Sequence, residues 1–482
     1  MDTYLADYCD SLVNIPSGTH RPKLRSVKAR YLTAIGDLKN VCETSGINMA
    51  RPCTASRDER CWIFRHLTLW NEILLPIVAE LVEDNPGSLT LGSLWMRHER
   101  MYRKDLSLRA SITVHWLLKE HHCISTVRLR VYDFIADHPQ LFCNALSVSK
   151  AVKNLLLSWY DAKNKFDEEF TTAIGNMCCL EKYQMKCYRH SDDSLSTIGR
   201  SIGSKSTLVD LLVWTENEVY DSSVVPLLKG AKSCTGLKCL SMRFATLGTE
   251  GAGDLADLLR GNRGLEKVEM LGMQFTNDDL HVVSESLGAA PLLKLQTLKF
   301  SHCELHVPAL AVLVDALRQH TALSSLSFVR CDLGIDAVRV LLSVLKDCPN
   351  LRELRLDANE MKDDCAIALS NCLSTTRNLE ALSLKMNLFT SRGVAALVGA
   401  LLRHTSNTVL YLGHIDANSN EALEITRALE ADGVNERVQI TYNTAGVIHL
   451  AQAVSMNSYK VGEVLFDANI ILEPEHLVVL FS

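Results

Sequence analysis

Between Leu351 and Asn378 the apolar and polar positions follow two rhythms. Leu354 and Leu356 alternate with Glu353, Arg355 and Asp357, the period of a strand with one buried face. Ala366, Leu369, Cys372 and Leu373 then recur at steps of three, three and one, which predicts a helix with an apolar stripe. Leu351, Leu354, Leu356, Asn359 and Met361 occupy positions 1, 4, 6, 9 and 11 of a 28-residue unit that restarts at Leu379. One strand, one turn and one helix cannot bury their own apolar faces, so such units must stack on copies of themselves.

Position 1 of successive units falls at Leu91, Ile124, Val152, Leu180, Leu208, Leu237, Leu265, Leu295, Leu323, Leu351, Leu379, Asn407, Asn435 and Val461; after Ile124 the steps run from 26 to 30 residues. The units from Leu237, Leu295, Leu323 and Leu379 match the pattern best. A polar side chain at position 9 can bond to backbone groups left free by the turn after the strand. Asn or Cys serves there in the later units. Tyr132, Tyr160 and Tyr188 stand there in the earlier ones, which predicts a different turn in the N-terminal repeats. The units after Asn407 and Asn435 lack the first leucine, and the sequence runs out in the apolar stretch Leu477 to Phe481. That end is expected to be covered by something else or to continue into a longer chain.

Residues 1–85 do not repeat. Leu24, Val27, Tyr31, Ala34, Ile35, Leu38 and Val41 predict an amphipathic helix. A second helical run is predicted from Trp62 to Leu81, kinked or split at Pro76. Glu83-Asp84-Asn85-Pro86-Gly87 reads as a boundary. The expected organisation is a helical cap over 1–85 and a solenoid of about 13–14 repeats over 86–482. The fold class is α/β.

Composition narrows the function. A net charge of −6 on 482 residues lacks the basic excess of a nucleic-acid binder. No apolar run reaches the roughly 18 residues of a spanning helix. No basic-then-apolar leader is seen at Met1-Asp2-Thr3-Tyr4. Cys303 and Cys331 stand at position 9, and Cys234 and Cys348 stand three residues before the next position 1. The sixteen cysteines therefore read as reduced packing thiols of a cytoplasmic or nuclear protein.

The pattern LxxLxLxx(N/C)xL at 28–29 residues, with a helix in each unit, resembles the ribonuclease-inhibitor-like leucine-rich repeat family. The resemblance covers about three quarters of the chain. It implies a horseshoe with a parallel sheet on the concave side and helices outside, and binding of a partner protein. The same repeat occurs in NOD-like receptors, Ran GTPase-activating proteins and some F-box proteins. No Walker-type phosphate loop is present. Glu72-Ile73-Leu74 and Ile77 are similar to part of an F-box opening, with Trp70 where that motif has proline. This makes an F-box-like substrate receptor of a cullin-type ubiquitin ligase one alternative and a Ran-type GTPase-activating protein another.

Positions 3, 5 and 7 of each strand face away from positions 4 and 6. Most are small or charged. The exceptions are Leu156 at position 5 and Leu212 and Trp214 at positions 5 and 7, with Trp159 and Phe244 at position 8 of their units. Arg128, Arg130, Lys186 and Arg243 stand nearby in the pattern. Aromatic and arginine side chains in one patch are the usual anchors of a protein interface, so these nine residues form the candidate binding surface. A second group, Lys267, Glu269, Lys299, Glu353, Arg355, Asp357 and Lys385, reads as solvated surface. His115, His121, His122 and Cys123 are expected at a helix-end surface, because three consecutive residues do not readily point at one ion. No Ser/His/Asp order or paired carboxylates appear. The expectation is a non-enzymatic protein without metal or cofactor, with no nucleic-acid, membrane or small-molecule partner.

Overall fold

The computed structural model describes residues 2–13, 24–56, 59–94, 103–131, 137–159, 167–187, 192–203, 205–215, 221–243, 247–289, 292–373, 376, 378–403, 408–415 and 438–442. Fourteen strands are described, and from the second to the thirteenth they alternate with helices in an α/β leucine-rich repeat solenoid. The chain divides into two compact units, Met1–Cys239 and Leu240–Ser482. Among the described residues no helix is long and apolar enough to cross a membrane.

The first unit begins with helices α1 (Asp2–Val13) and α2 (Leu24–Thr44), followed by a 3-10 turn at Trp62–His66 and α3 (Leu67–Leu74). The helix expected to reach Leu81 stops earlier. A second 3-10 turn, Leu75–Ile77, carries Pro76, and Val78 then takes a left-handed φ of 56°. Strand β1 (Ala79–Asn85) follows and pairs antiparallel with β2 (Ser88–Ser93). The Pro86-Gly87 boundary is therefore the turn of a hairpin, with Gly87 at φ 79° where a glycine is needed. Leu91 pairs with Val127, which is position 4 of its unit. The first repeat thus starts at Ser88, three residues before the sequence register placed it.

From β2 onward pairing within the first unit is parallel: β3 (Ile124–Val131), β4 (Asn154–Trp159), β5 (Lys182–Cys187) and β6 (Asp210–Thr215). Positions 4 and 6 are inward and buried, as Leu155, Leu157, Tyr183, Met185, Leu211 and Val213 show. The helices between strands are α4 (Lys104–Glu120), α5 (Pro139–Val148), α6 (Asp167–Asn176), α7 (Asp192–Ile202) and α8 (Asp221–Lys232). The N-terminal segment packs on α4. Tyr8 Oη lies 2.5 Å from His115 Nδ1, and His115 Nε2 lies 2.8 Å from Asn144 Oδ1. Trp62, Trp70 and Trp116 form one aromatic cluster there.

Strand β7 (Cys239–Arg243) crosses the division between the units. In the second unit β8 (Lys267–Leu271), β9 (Thr297–Ser301), β10 (Ser325–Val329), β11 (Glu353–Arg355), β12 (Ala381–Ser383), β13 (Val409–Ile415) and β14 (Val438–Tyr442) pair in parallel. Leu298, Leu326, Leu354 and Leu382 sit in register and are fully buried; Phe300 and Phe328 stack at 5.4 Å. Each such leucine contributes about 1.5–3 kcal/mol by leaving water. Within this unit the stacked repeats share one core built from neighbours, which explains why a single repeat would not stand alone.

Position 9 does the work expected of it. Asn359, 2% exposed, accepts from the Cys331 N–H at 2.7 Å and donates to the Phe328 and Asp357 carbonyls at 2.8 and 3.2 Å. Asn387 in turn accepts from the Asn359 and Met361 N–H groups. Asn359 and Asn387 therefore each stitch their own turn to the preceding one, a ladder of two asparagines. The Cys303 thiol donates to the Met270 carbonyl at 3.4 Å, and the Cys331 thiol to that of Val329 at 3.5 Å. Burial pushes these thiols up to about 11 and about 12, so they stay protonated donors.

Position 8 takes a left-handed φ in five successive units, at Gly272, His302, Arg330, Ala358 and Met386. The described N-terminal strands instead stay extended through position 8, at Val131, Trp159, Cys187 and Thr215. The early repeats therefore differ from the later ones at position 8. Their position-9 tyrosines lie outside the described residues, as do the unit at Val461 and the C-terminal apolar stretch.

Candidate functional site

The open sheet face of the first unit brings six of the nine candidate residues into two adjoining rows. Parallel register aligns Arg128, Leu156, Gln184 and Leu212 at position 5, and Arg130, Ser158, Lys186 and Trp214 at position 7. Their order across the sheet follows from the 28-residue step, which places equivalent positions side by side.

The rows differ in character. Position 3 is closed by cross-strand bonds: Asn154 Nδ2 donates to Thr126 Oγ1 at 2.9 Å, and Lys182 pairs with Asp210. Position 5 has an arginine at one end and two half-buried leucines. Arg128 is exposed and reaches Asp84 at 3.4 Å. At position 7 the Lys186 ammonium lies 4.7 Å from the centre of the Trp214 ring, which holds the charge over a π face. Trp214 is half-buried and Arg130 exposed. Leu156, Leu212 and Trp214 therefore form an apolar strip bordered by Arg128, Arg130 and Lys186, with Gln184 inside it. Gln184 was missed in the sequence because its type carries no signal; only the register places it between the two leucines.

The remaining candidates fall elsewhere. Trp159 pairs with Val131 and Cys187, not with the position-7 row. Phe244 lies outside the described residues. Arg243 belongs to the second unit, where its side chain lies so close to Gly272 that a Cβ there would stand 3.2 Å from Arg243 Nε. Burial holds the neighbouring His302 imidazole below its ordinary value, and the charges of Arg330, Arg243 and Lys299 add to this. Most of the second charged group is internally paired: Lys267 with Glu269, Arg355 with Glu353, and Asp357 accepting from Ser383 and the Lys385 N–H. Exposed pairs of this kind contribute little to stability or binding.

One expectation changes, and one resemblance is located. Of the residues similar to an F-box opening, Ile73, Leu74 and Ile77 are buried inside the first unit, and Trp70, which stands where that motif has proline, is buried against Trp62 and Trp116. The histidine-rich stretch is not a helix-end surface. His115, His121 and Cys123 are 2%, 1% and 3% exposed, and only His122 points out. The end of α4 is inside the protein because the segment before Trp62 folds over it, a contact between residues some 60 positions apart.

No protein-family model matches the chain, and no curated protein matches it. Solved structures similar to it include an internalin, InlF, of Listeria monocytogenes, at 14% identity and a TM-score of 0.37 over 70% of this chain and 83% of that one. The complex of Rad7 and Elc1 from yeast is also similar, at 15% identity and a TM-score of 0.37 over 79% of this chain and 92% of that one. The fold stands on the repeat register and the position-9 ladder.

Proposed function

We propose that this chain is a non-enzymatic interaction scaffold that binds a partner protein on the open sheet face of its first unit. The observation that carries the reading is the strip of Leu156, Leu212 and Trp214, half-buried on the open face of neighbouring strands and bordered by Arg128, Arg130 and Lys186. These side chains contribute nothing to the inward core, whose positions 4 and 6 are already filled. A partner presenting an apolar side chain flanked by carboxylates would meet the strip and its three cations. A long sheet offers area without a pocket, which suits many shallow contacts around a few anchors. The cytoplasm, or the nucleus, is the compartment we assign, where free thiols persist.

The test is affinity capture of partners by the full chain, followed by measured binding of the recovered partner to wild type and to the Leu212→Ala/Trp214→Ala double variant. Loss of roughly 2 kcal/mol or more of binding free energy is expected for truncating a buried aromatic anchor. Unchanged affinity in a variant with a wild-type circular dichroism spectrum sinks the proposal. Recovery of a cullin complex, or stimulation of GTP hydrolysis by a small GTPase, would replace it with one of the two other readings.

A further inference from the structure

Four soft donor side chains converge beneath the N-terminal segment. Cys53 and Cys61 come from the loop before Trp62, and His121 and Cys123 from the turn between α4 and β3. Their ligand atoms all lie within 4.8 Å of one another. Cys53 Sγ is 3.6 Å from Cys61 Sγ, and Cys61 Sγ is 3.4 Å from His121 Nδ1.

These separations are the edges of a metal tetrahedron. With a zinc–sulfur bond of about 2.3 Å, two tetrahedral sulfur ligands stand roughly 3.8 Å apart. A disulfide would need a sulfur separation of about 2.05 Å, and all three cysteines are free thiols. The backbone arranges the donors locally. His121 caps α4 through its N–H to the Leu117 carbonyl, and the chain then turns so that His121 and Cys123 face inward while His122 faces out. The Cys53–Cys61 loop is closed by Trp62 N–H to Thr54 Oγ1 and by the Trp62 indole N–H to the Pro52 carbonyl. The His121 ring stands at 69° and 67° to the Trp62 and Trp116 rings, which fixes its direction.

We infer that Cys53, Cys61, His121 and Cys123 bind one zinc ion as a closed structural site. Three thiolates and one imidazole select zinc over the oxygen-preferring magnesium and calcium. Four protein ligands leave no open position for water or substrate, so the site is structural rather than catalytic. Binding releases three thiol protons as the sulfurs become thiolates, and His121 ligates through Nδ1 as neutral imidazole. The ion clasps the N-terminal segment to the turn that leads from α4 into β3. It supplies a link across some 60 residues where a helix and a loop would otherwise meet through packing alone.

The test is the full chain purified from zinc-supplemented medium without chelator. Elemental analysis should find one zinc per chain. Replacement by cobalt should give the thiolate charge-transfer band and the visible bands of a tetrahedral site. Cys53, Cys61 and Cys123 should resist alkylation until a chelator is added, while the exposed Cys178 reacts at once. Cys61→Ser should lose the metal and His122→Ala should keep it. Because Cys61→Ser can also fail to fold, the wild-type cobalt spectrum and alkylation map decide independently. A metal-free chain with no cobalt bands, alkylation that is indifferent to chelator, or a Cys53–Cys61 disulfide in freshly purified protein would each overturn the inference.

Discussion

Replacing Asn359 with alanine isolates what position 9 contributes to the solenoid. The side chain is 2% exposed, so water does not take its place. Its loss strands the Cys331 N–H, which it meets at 2.7 Å, and removes the donor that reaches the Phe328 carbonyl at 2.8 Å. The Asp357 carbonyl keeps a partner in the Arg330 N–H and costs less. A buried donor left unsatisfied costs about 1–3 kcal/mol, and a lost hydrogen bond about 1 kcal/mol, so Asn359→Ala should destabilise by roughly 2–4 kcal/mol. Asn359→Cys should fall between, because a thiol still donates to a carbonyl, as Cys303 and Cys331 do, but accepts poorly. Solenoid units stabilise their neighbours, so the damage should be local. Urea unfolding gives the magnitude, and hydrogen exchange of peptides covering Cys331 and Met361 gives the place. A shift below about 0.5 kcal/mol, within the range of ordinary surface substitutions, with unchanged exchange at Cys331 would refute the ladder argument.

Three further outcomes can be checked. Burial holds the His115 imidazole down at about 4 against an ordinary 6.5, with the Lys119 charge acting in the same direction. As pH falls from about 6.5 toward about 4 the unfolded chain takes up a proton that the folded chain refuses, so stability should drop by up to about 3 kcal/mol; urea midpoints across that range should show this component vanish in His115→Gln, and an identical pH slope in both proteins would contradict it. In helix α8, a Cβ on Gly230 would lie 1.8 Å from the Gly199 carbonyl oxygen of α7. Gly230→Ala should cost at least about 1–3 kcal/mol by forcing those backbones apart, a loss absent from a thermal melt only if the helices do not meet as described. Gly253, in the helix Gly248–Gly261, has open space around its Cα; Gly253→Ala should therefore stabilise by about 0.5–1 kcal/mol, and a lower melting temperature would contradict that.

Much of the architecture could be read from the chain because its causes are local. A strand alternates every two residues and a helix every 3.6, so Leu354, Leu356 and the stripe from Ala366 to Leu373 identify themselves without any knowledge of their neighbours. The 28-residue step carries this further: once one unit is in register, the rows that align Leu156 with Leu212 and Lys186 with Trp214 follow by counting. The role of Asn359 was legible for the same reason, since the turn it serves recurs at a fixed distance from the strand. The hairpin of β1 and β2 was not legible, because the apolar residues from Ile77 to Leu81 fit a helix as well as a strand, and pairing with β2 decided between them. The left-handed position 8 escaped notice because His302, Arg330, Ala358 and Met386 carry no glycine signal; their conformation is imposed by the stacked turns. Cys53, Cys61, His121 and Cys123 meet only because the N-terminal segment folds over the end of α4. Periodicity reports what the backbone does over a few residues, whereas a site drawn from loops some 60 positions apart exists only once packing has brought them together.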